Sequence, residues 1–300
     1  MTSPTAPTAT TTAPVRFATN PATGPAPGPG GGLARLGRET WILTRRSLTR
    51  IRNEPETLSD VTIQPVMFTL LFAYVFGSAI NLGGPFGGTA AYHEYLIAGL
   101  FGLTVIGTLA GTAVGMTADM ETGLIDRFRS LPISRSAVLA GRTVSDLVTN
   151  VLGLAVTAAT GLAIGWRIHT GPVDALAALG LVLLLSYAVS WAGVCMGMVF
   201  RSAEAAQQAA FIIFLPLGFV SNAFVPTSGM PGWLQAFANW NPVSAAAASC
   251  RNLFGNPNPA SSIDAWPMQH PEAYTVLWAI GVVAVFAPVA VYLYRRRARS

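Results

Sequence analysis

Six stretches of this chain are apolar enough and long enough to cross a membrane: Val61 to Ile80, Tyr95 to Thr117, Thr143 to Gly165, Ala175 to Phe200, Ala205 to Val225 and Tyr274 to Tyr294. At a rise of about 1.5 Å per residue, a helix of about 20 residues spans a hydrocarbon core of about 30 Å. In lipid each backbone N–H and C=O must find its partner within the chain, so such runs fold as helices. Composition agrees. Of the 300 residues 52% are hydrophobic and 10% charged, with a mean hydropathy of +0.49, whereas a soluble domain carries about 25% charged residues. The expected fold is an all-α integral membrane protein with six transmembrane helices.

The formal charge of +5 comes from 18 basic residues, all of them Arg. Seven Arg precede the first run, four lie between Arg127 and Arg142, and Arg201 and the four Arg after Tyr294 follow on the same side; Arg167 and Arg251 fall on the other. The positive-inside rule then predicts that both termini are cytoplasmic. This asymmetry accounts for the basicity without nucleic acid as a partner. Arg in place of Lys, with abundant Ala, Gly and Pro, points to a GC-rich coding genome.

Asp60, Glu94, Asp119, Asp146, Asp174, Glu204 and Glu272 sit at or near the ends of the runs. A proton- or sodium-coupled carrier uses carboxylates or unwound polar backbone near the midplane, so the energy source is expected elsewhere. A membrane-embedded enzyme needs convergent polar groups at one depth, and no such cluster is visible. His93, His169 and His270 lie in three different loops, and Cys195 and Cys250 lack ligand spacing, so no metal site is expected.

Three segments follow from the pattern. Residues 1–32 are rich in Thr, Pro and Gly and read as a disordered cytoplasmic tail with no signal-peptide pattern. Residues 33–57 form an amphipathic interfacial helix. At about 100° per residue, Leu33, Leu36, Trp41, Leu43, Leu48 and Ile51 share one face, opposite Arg35, Arg38, Arg45, Arg46, Arg50 and Arg52, a pattern suited to the headgroups of the lipid bilayer. Residues 58–299 form the membrane domain.

Within that domain the longest cytoplasmic loop runs from Asp119 to Arg142. Leu124, Phe128 and Leu131 line one side of a short helix, Asp126 pairs with Arg129 at i, i+3, Pro132 stops the helix and Ser134 caps the next. A short charged helix between two spans suits a groove on a cytoplasmic partner. After the fifth run, Pro231 and Pro242 stand at the first positions of two short helices, the second capped by Asn241. Trp233, Phe237, Trp240 and Leu253 make that region apolar on one side, either as an element dipping into the outer leaflet or as an aromatic belt. Pro216, in the middle of the fifth run, is a possible gating kink. Gly99, Gly102, Gly107, Gly111 and Gly115 recur at near-helical spacing in the second run and favour close packing.

The stretch Glu121 to Arg142, with Gly123, Asp126-Arg127, Leu131-Pro132, Ser134-Arg135 and Gly141-Arg142, closely resembles the ABC type 2 membrane-domain family, in particular its daunorubicin-resistance-type permeases. A second match comprises Phe224-Val225-Pro226, Met230-Pro231, Trp233-Leu234-Gln235, Asn241-Pro242-Val243 and Arg251 to Gly255. The resemblance implies a homodimer or heterodimer of membrane domains that exports small amphipathic compounds such as drugs and antibiotics, or else lipid or glycan precursors. It also implies a coupling element of Glu121, Gly123, Leu124, Asp126, Arg127, Phe128, Arg129, Leu131, Pro132, Ser134 and Arg135. Pro231, Trp233, Asn241, Pro242 and Arg251 would form an extracytoplasmic gate or re-entrant element. A Walker loop needs Gly-x-x-x-x-Gly-Lys-Ser/Thr, and the chain has no Lys, so ATP and Mg2+ are expected on a separate ATP-binding subunit. The chain itself is expected to carry no cofactor and no enzyme activity. A structural membrane protein is the remaining alternative, one that would not depend on the coupling loop.

Overall fold

A computed structural model of the chain describes residues 55–77, 80, 82, 88–122 and 135–297, with side chains over 62–77, 80, 82, 88–122 and 142–296. The tail, the amphipathic segment Leu33 to Arg52 and the loop residues 123–134 lie outside the described residues.

Among the described residues every regular element is helical. Helix α1 (Pro55–Leu71) continues as a π-helical turn at Phe72–Phe76. It is followed by α2 (Thr89–Glu121), α3 (Arg135–Ala163), α4 (Pro172–Val199) and α5 (Ala203–Phe219). Two short helices, α6 (Gly232–Asn239) and α7 (Pro242–Phe254), precede a single turn, α8 (Trp266–Gln269), and the last long helix, α9 (Pro271–Arg297). Four of these are long and apolar enough to cross a membrane, over Thr89–Glu121, Arg142–Ala163, Pro172–Val199 and Pro271–Arg296, while Thr62–Phe76 and Ala203–Phe219 are apolar but shorter.

All six expected runs therefore become helices, and one stops early. The first is helical through Phe76, and the Ile80 N–H still reaches the Phe76 carbonyl at 3.0 Å, whereas the fifth ends at Phe219 rather than Val225. Pro216 sits in the last turn of α5, not at the middle of a span; its missing N–H leaves the ladder open, and the chain leaves the helix one turn later. At 17 residues α5 reaches about 25 Å, less than the hydrocarbon thickness of about 30 Å.

Helix α2 is the central element, packed by α3, α4, α5 and α7. It buries Tyr92, Tyr95, Leu96, Ile97, Phe101, Val105, Ala113 and Met116. Its contact with α4 is backbone to backbone: a Cβ at Gly193 would stand 2.8 Å from the Leu109 carbonyl oxygen, and one at Gly197 2.5 Å from that of Ala113. The glycines of α2 divide. Gly99 and Gly102 face Ala223 and α7, and Gly115 faces Arg142, whereas Gly107 and Gly111 look into open space.

Near the α2–α3 loop, Met116, Trp191, Val194, Met198, Ala290 and Tyr294 join α2, α4 and α9. At the opposite end, Trp166 stands edge-on to Phe101 and Phe254 at centroid distances of 5.7 and 5.2 Å. Val151 and Leu162 of α3 and Ile280, Val285 and Val289 of α9 face outward, a surface suited to hydrocarbon.

Candidate functional site

The early end of α5 leaves carbonyl groups without helical donors in an apolar surrounding, where each unsatisfied group costs about 1–3 kcal/mol. Side chains from two other helices supply the donors. Asn241, the N-cap of α7, accepts the Val243 N–H at 2.9 Å through Oδ1 and donates from Nδ2 to the carbonyls of Leu217 at 2.7 Å and Val220 at 2.8 Å. Arg251, fully buried in α7, donates to the carbonyls of Asn222 at 2.9 Å and Ala223 at 3.3 Å, and to Asn222 Oδ1 at 3.1 Å. Its Nε and Nη2 also reach the Tyr95 carbonyl of α2, at 3.2 and 3.1 Å. The Tyr95 hydroxyl donates to the Asn222 carbonyl, that of Tyr92 to Phe224, and the Ser244 hydroxyl accepts the Asn222 N–H at 3.0 Å.

Arg251 lies 3.5 Å from the Tyr95 ring centroid, and among the described residues it forms no ion pair. A cation without a carboxylate is tolerated here because carbonyl dipoles and a ring face surround it. Irregular backbone at membrane depth is admissible only where protein covers it. Asn241 and Arg251 provide that cover, so the helix ends at Phe219 and residues 220–225 run on along α2 as irregular backbone, Ala223 at Gly99 and Phe224 at Tyr92, before the chain turns back to Asn241.

The short helices after it match the sequence expectation with one shift. Pro242 opens α7 as expected, but Pro231 is the N-cap of α6, one residue before the helix. Trp233, Phe237 and Trp240 are exposed, whereas Leu253 turns inward against the core. The α3–α4 connection locks the end of α7. The Trp166 indole donates to Asn256 Oδ1 at 2.8 Å, the His169 N–H to the Phe254 carbonyl at 2.9 Å and the Thr170 hydroxyl to the Leu253 carbonyl at 2.5 Å. Gly255 ends α7 at φ +69°, a conformation that glycine adopts without strain. The three histidines are apart: His93 meets the Ile164 carbonyl, His169 pairs with Glu94 at 2.7 Å, and His270 lies against Trp266.

At the other end of α2, Glu121 is the exposed last residue of the helix and Arg135 the first of α3. The expected coupling residues Gly123, Leu124, Asp126, Arg127, Phe128, Arg129, Leu131, Pro132 and Ser134 lie outside the described residues, as does the side chain of Arg135. Just inside this loop is a charged cluster that the sequence reading dispersed among run ends. Arg142 Nη1 stands 2.9 Å from Asp119 Oδ2, and its Nε stands 3.2 Å from Asp146 Oδ1. Asp146 Oδ2 accepts the Thr112 hydroxyl at 2.7 Å. The i, i+4 spacing of Arg142 and Asp146 was a legible signal. The cross-helix members Asp119 and Thr112, like Tyr92, Tyr95, Asn222 and Ser244 at the turn-back, had none, because only packing brings them close.

The sequence profile of the ABC-2 type transporter family matches residues 38–254, a range that contains both of these regions. The daunorubicin resistance ABC transporter permease protein DrrB1 of Streptomyces coeruleorubidus is 31% identical over 252 residues, which cover 84% of each chain. The doxorubicin resistance ABC transporter permease protein DrrB of Mycobacterium tuberculosis (strain CDC 1551 / Oshkosh) is 26% identical over 264 residues, 87% of this chain and 90% of that one. With five of its apolar helices, the Asp119–Arg142 pair and the turned-back segment after α5 all inside the matched range, this chain belongs to the ABC-2 type transporter family of membrane permeases.

Proposed function

We infer that the chain is the permease subunit of an ATP-driven exporter, moving amphipathic compounds of the drug and antibiotic class outward across the bacterial cytoplasmic membrane. The kinship with a daunorubicin resistance permease over 84% of both chains carries this reading. Hydrolysis of Mg-ATP on a separate ATP-binding subunit supplies the energy, since the chain has no Lys with which to build a Walker loop. Glu121 and the loop through Arg135 dock on that subunit, with Leu124, Phe128 and Leu131 as the apolar anchors. Two membrane domains, identical or paired with a relative, enclose the path. The turn-back held by Asn241 and Arg251 closes its outer side, and the exposed Trp233 and Trp240 sit at the lipid interface.

The test uses inverted membrane vesicles from cells producing the chain with its ATP-binding subunit. Daunorubicin uptake should require hydrolysable ATP. Replacing Leu124 and Phe128 together by Asp should abolish uptake while the chain still inserts, because apolar anchors in such grooves carry about 2 kcal/mol or more each and a buried carboxylate adds a desolvation cost. Undiminished uptake by the double variant would remove the loop from the mechanism. ATP turnover by the isolated chain would refute the division of labour.

A further inference from the structure

The ion cluster at the base of the α2–α3 loop bears on how the exporter transmits force. Asp119 lies two residues before the end of α2 and Arg142 seven residues into α3, so their 2.9 Å bond joins the two helices that flank residues 123–134 in the chain. The cluster fits one arrangement. The guanidinium turns one edge to Asp119 across the hairpin and another to Asp146 on its own helix, and Asp146 is tied back to α2 through Thr112. Gly115 makes room: a Cβ there would overlap the guanidinium, which therefore lies directly on the α2 backbone. The side chains of Arg142, Asp119 and Asp146 are 22%, 18% and 16% exposed, shielded enough for the bonds to be directional.

Ion pairs of this kind add little net stability, and apolar side chains would adhere as well. What they add is a defined register. Helix α2 extends that register to the other end of the molecule. It is pressed backbone to backbone on α4 at Gly193 and Gly197, and its Tyr95 carbonyl accepts from Arg251. From Asp119 to Tyr95 it is one continuous helix of about 36 Å. We propose that Arg142, held by Asp119 and Asp146 over Gly115, is the positioning residue that makes α2 and α3 move as one body, so that displacement of loop 123–134 by the ATP-binding subunit reaches the turn-back around Arg251. This rests on the exporter reading above.

The experiment measures daunorubicin moved per ATP hydrolysed by the complete chain reconstituted with its ATP-binding subunit. Arg142→Gln should lower that ratio by about tenfold, within the usual range of coupling between sites. Asp119→Asn, which weakens the cross-hairpin bond and leaves the Arg142–Asp146 pair in place, should lower it in the same direction. Arg142→Lys keeps the charge but not the planar fork and should restore the ratio only in part. A purely structural or topological role would instead reduce the amount of assembled complex, leave the ratio unchanged in Arg142→Gln and be fully rescued by Lys; either of the last two results overturns the proposal. A second measurement needs no transport. Spin labels on Thr122→Cys and Val151→Cys, in a chain with Cys195 and Cys250 replaced by Ala, should give a narrow distance distribution that broadens on Arg142→Gln. An unchanged distribution overturns the proposal. A wild-type complex that exports no daunorubicin refutes the exporter reading while this second measurement still decides the clasp.

Discussion

Replacing Asn241 by Ala removes three hydrogen bonds at once from a side chain that is 3% exposed. Loss of the N-cap bond to Val243 costs about 1 kcal/mol. The carbonyls of Leu217 and Val220 then lose their side-chain donor in an apolar setting, at about 1–3 kcal/mol each. The total, about 3–7 kcal/mol, falls on the contact between α7 and the end of α5, so α7 should open locally before the long helices do. Cys250 reports that opening directly: it is free, lies in α7 and is fully buried. With Cys195 replaced by Ala, its reaction with N-ethylmaleimide in native membranes should accelerate by at least about a hundredfold in Asn241→Ala, since each 1.4 kcal/mol is about a factor of ten. Asn241→Ser separates the two roles, for a hydroxyl accepts from Val243 but cannot reach both carbonyls. It should recover about fivefold, the worth of the cap alone. A rate for Asn241→Ala within threefold of wild type, or full protection in Asn241→Ser, would refute the assignment of Asn241 as the tie between the broken helix and α7.

The glycines of α2 predict opposite outcomes along one helix. Gly99→Ala drives a Cβ into the Ala223 carbonyl and should destabilise the turn-back by several kcal/mol, read as faster Cys250 labelling. Gly107→Ala and Gly111→Ala meet nothing within 4 Å and should stabilise by about 0.5–1 kcal/mol through helix propensity; loss of transport in these two, with unchanged labelling, would place a second membrane domain on that face. For topology, the positive-inside rule applied to Arg295, Arg296, Arg297 and Arg299 predicts that a Cys introduced at Ser300 should escape a membrane-impermeant maleimide in intact cells. Ready labelling would invert the orientation.

The positions of the helices were legible because a helix in lipid satisfies its own backbone, so hydropathy along the chain suffices to find it. The Asn241-Pro242 start of α7 was equally legible, since a cap acts within three residues. The end of α5 was read less well. Hydropathy continues through Val225, but Pro216 and the donors on α7 make it cheaper for the helix to end at Phe219, with residues 220–225 irregular. Arg251 stood out by its charge, yet its role depends on Tyr95, 156 residues away, and on the carbonyls of Asn222 and Ala223. The same holds for Arg142, whose partner Asp146 is one helical turn away and whose partner Asp119 is 23 residues away across the loop. The sequence by itself thus determined the membrane class, the helices and the family, all of which rest on local pattern. Only tertiary packing decided which buried polar groups meet, because a donor and acceptor far apart in the chain find each other through helix contacts that no local period records.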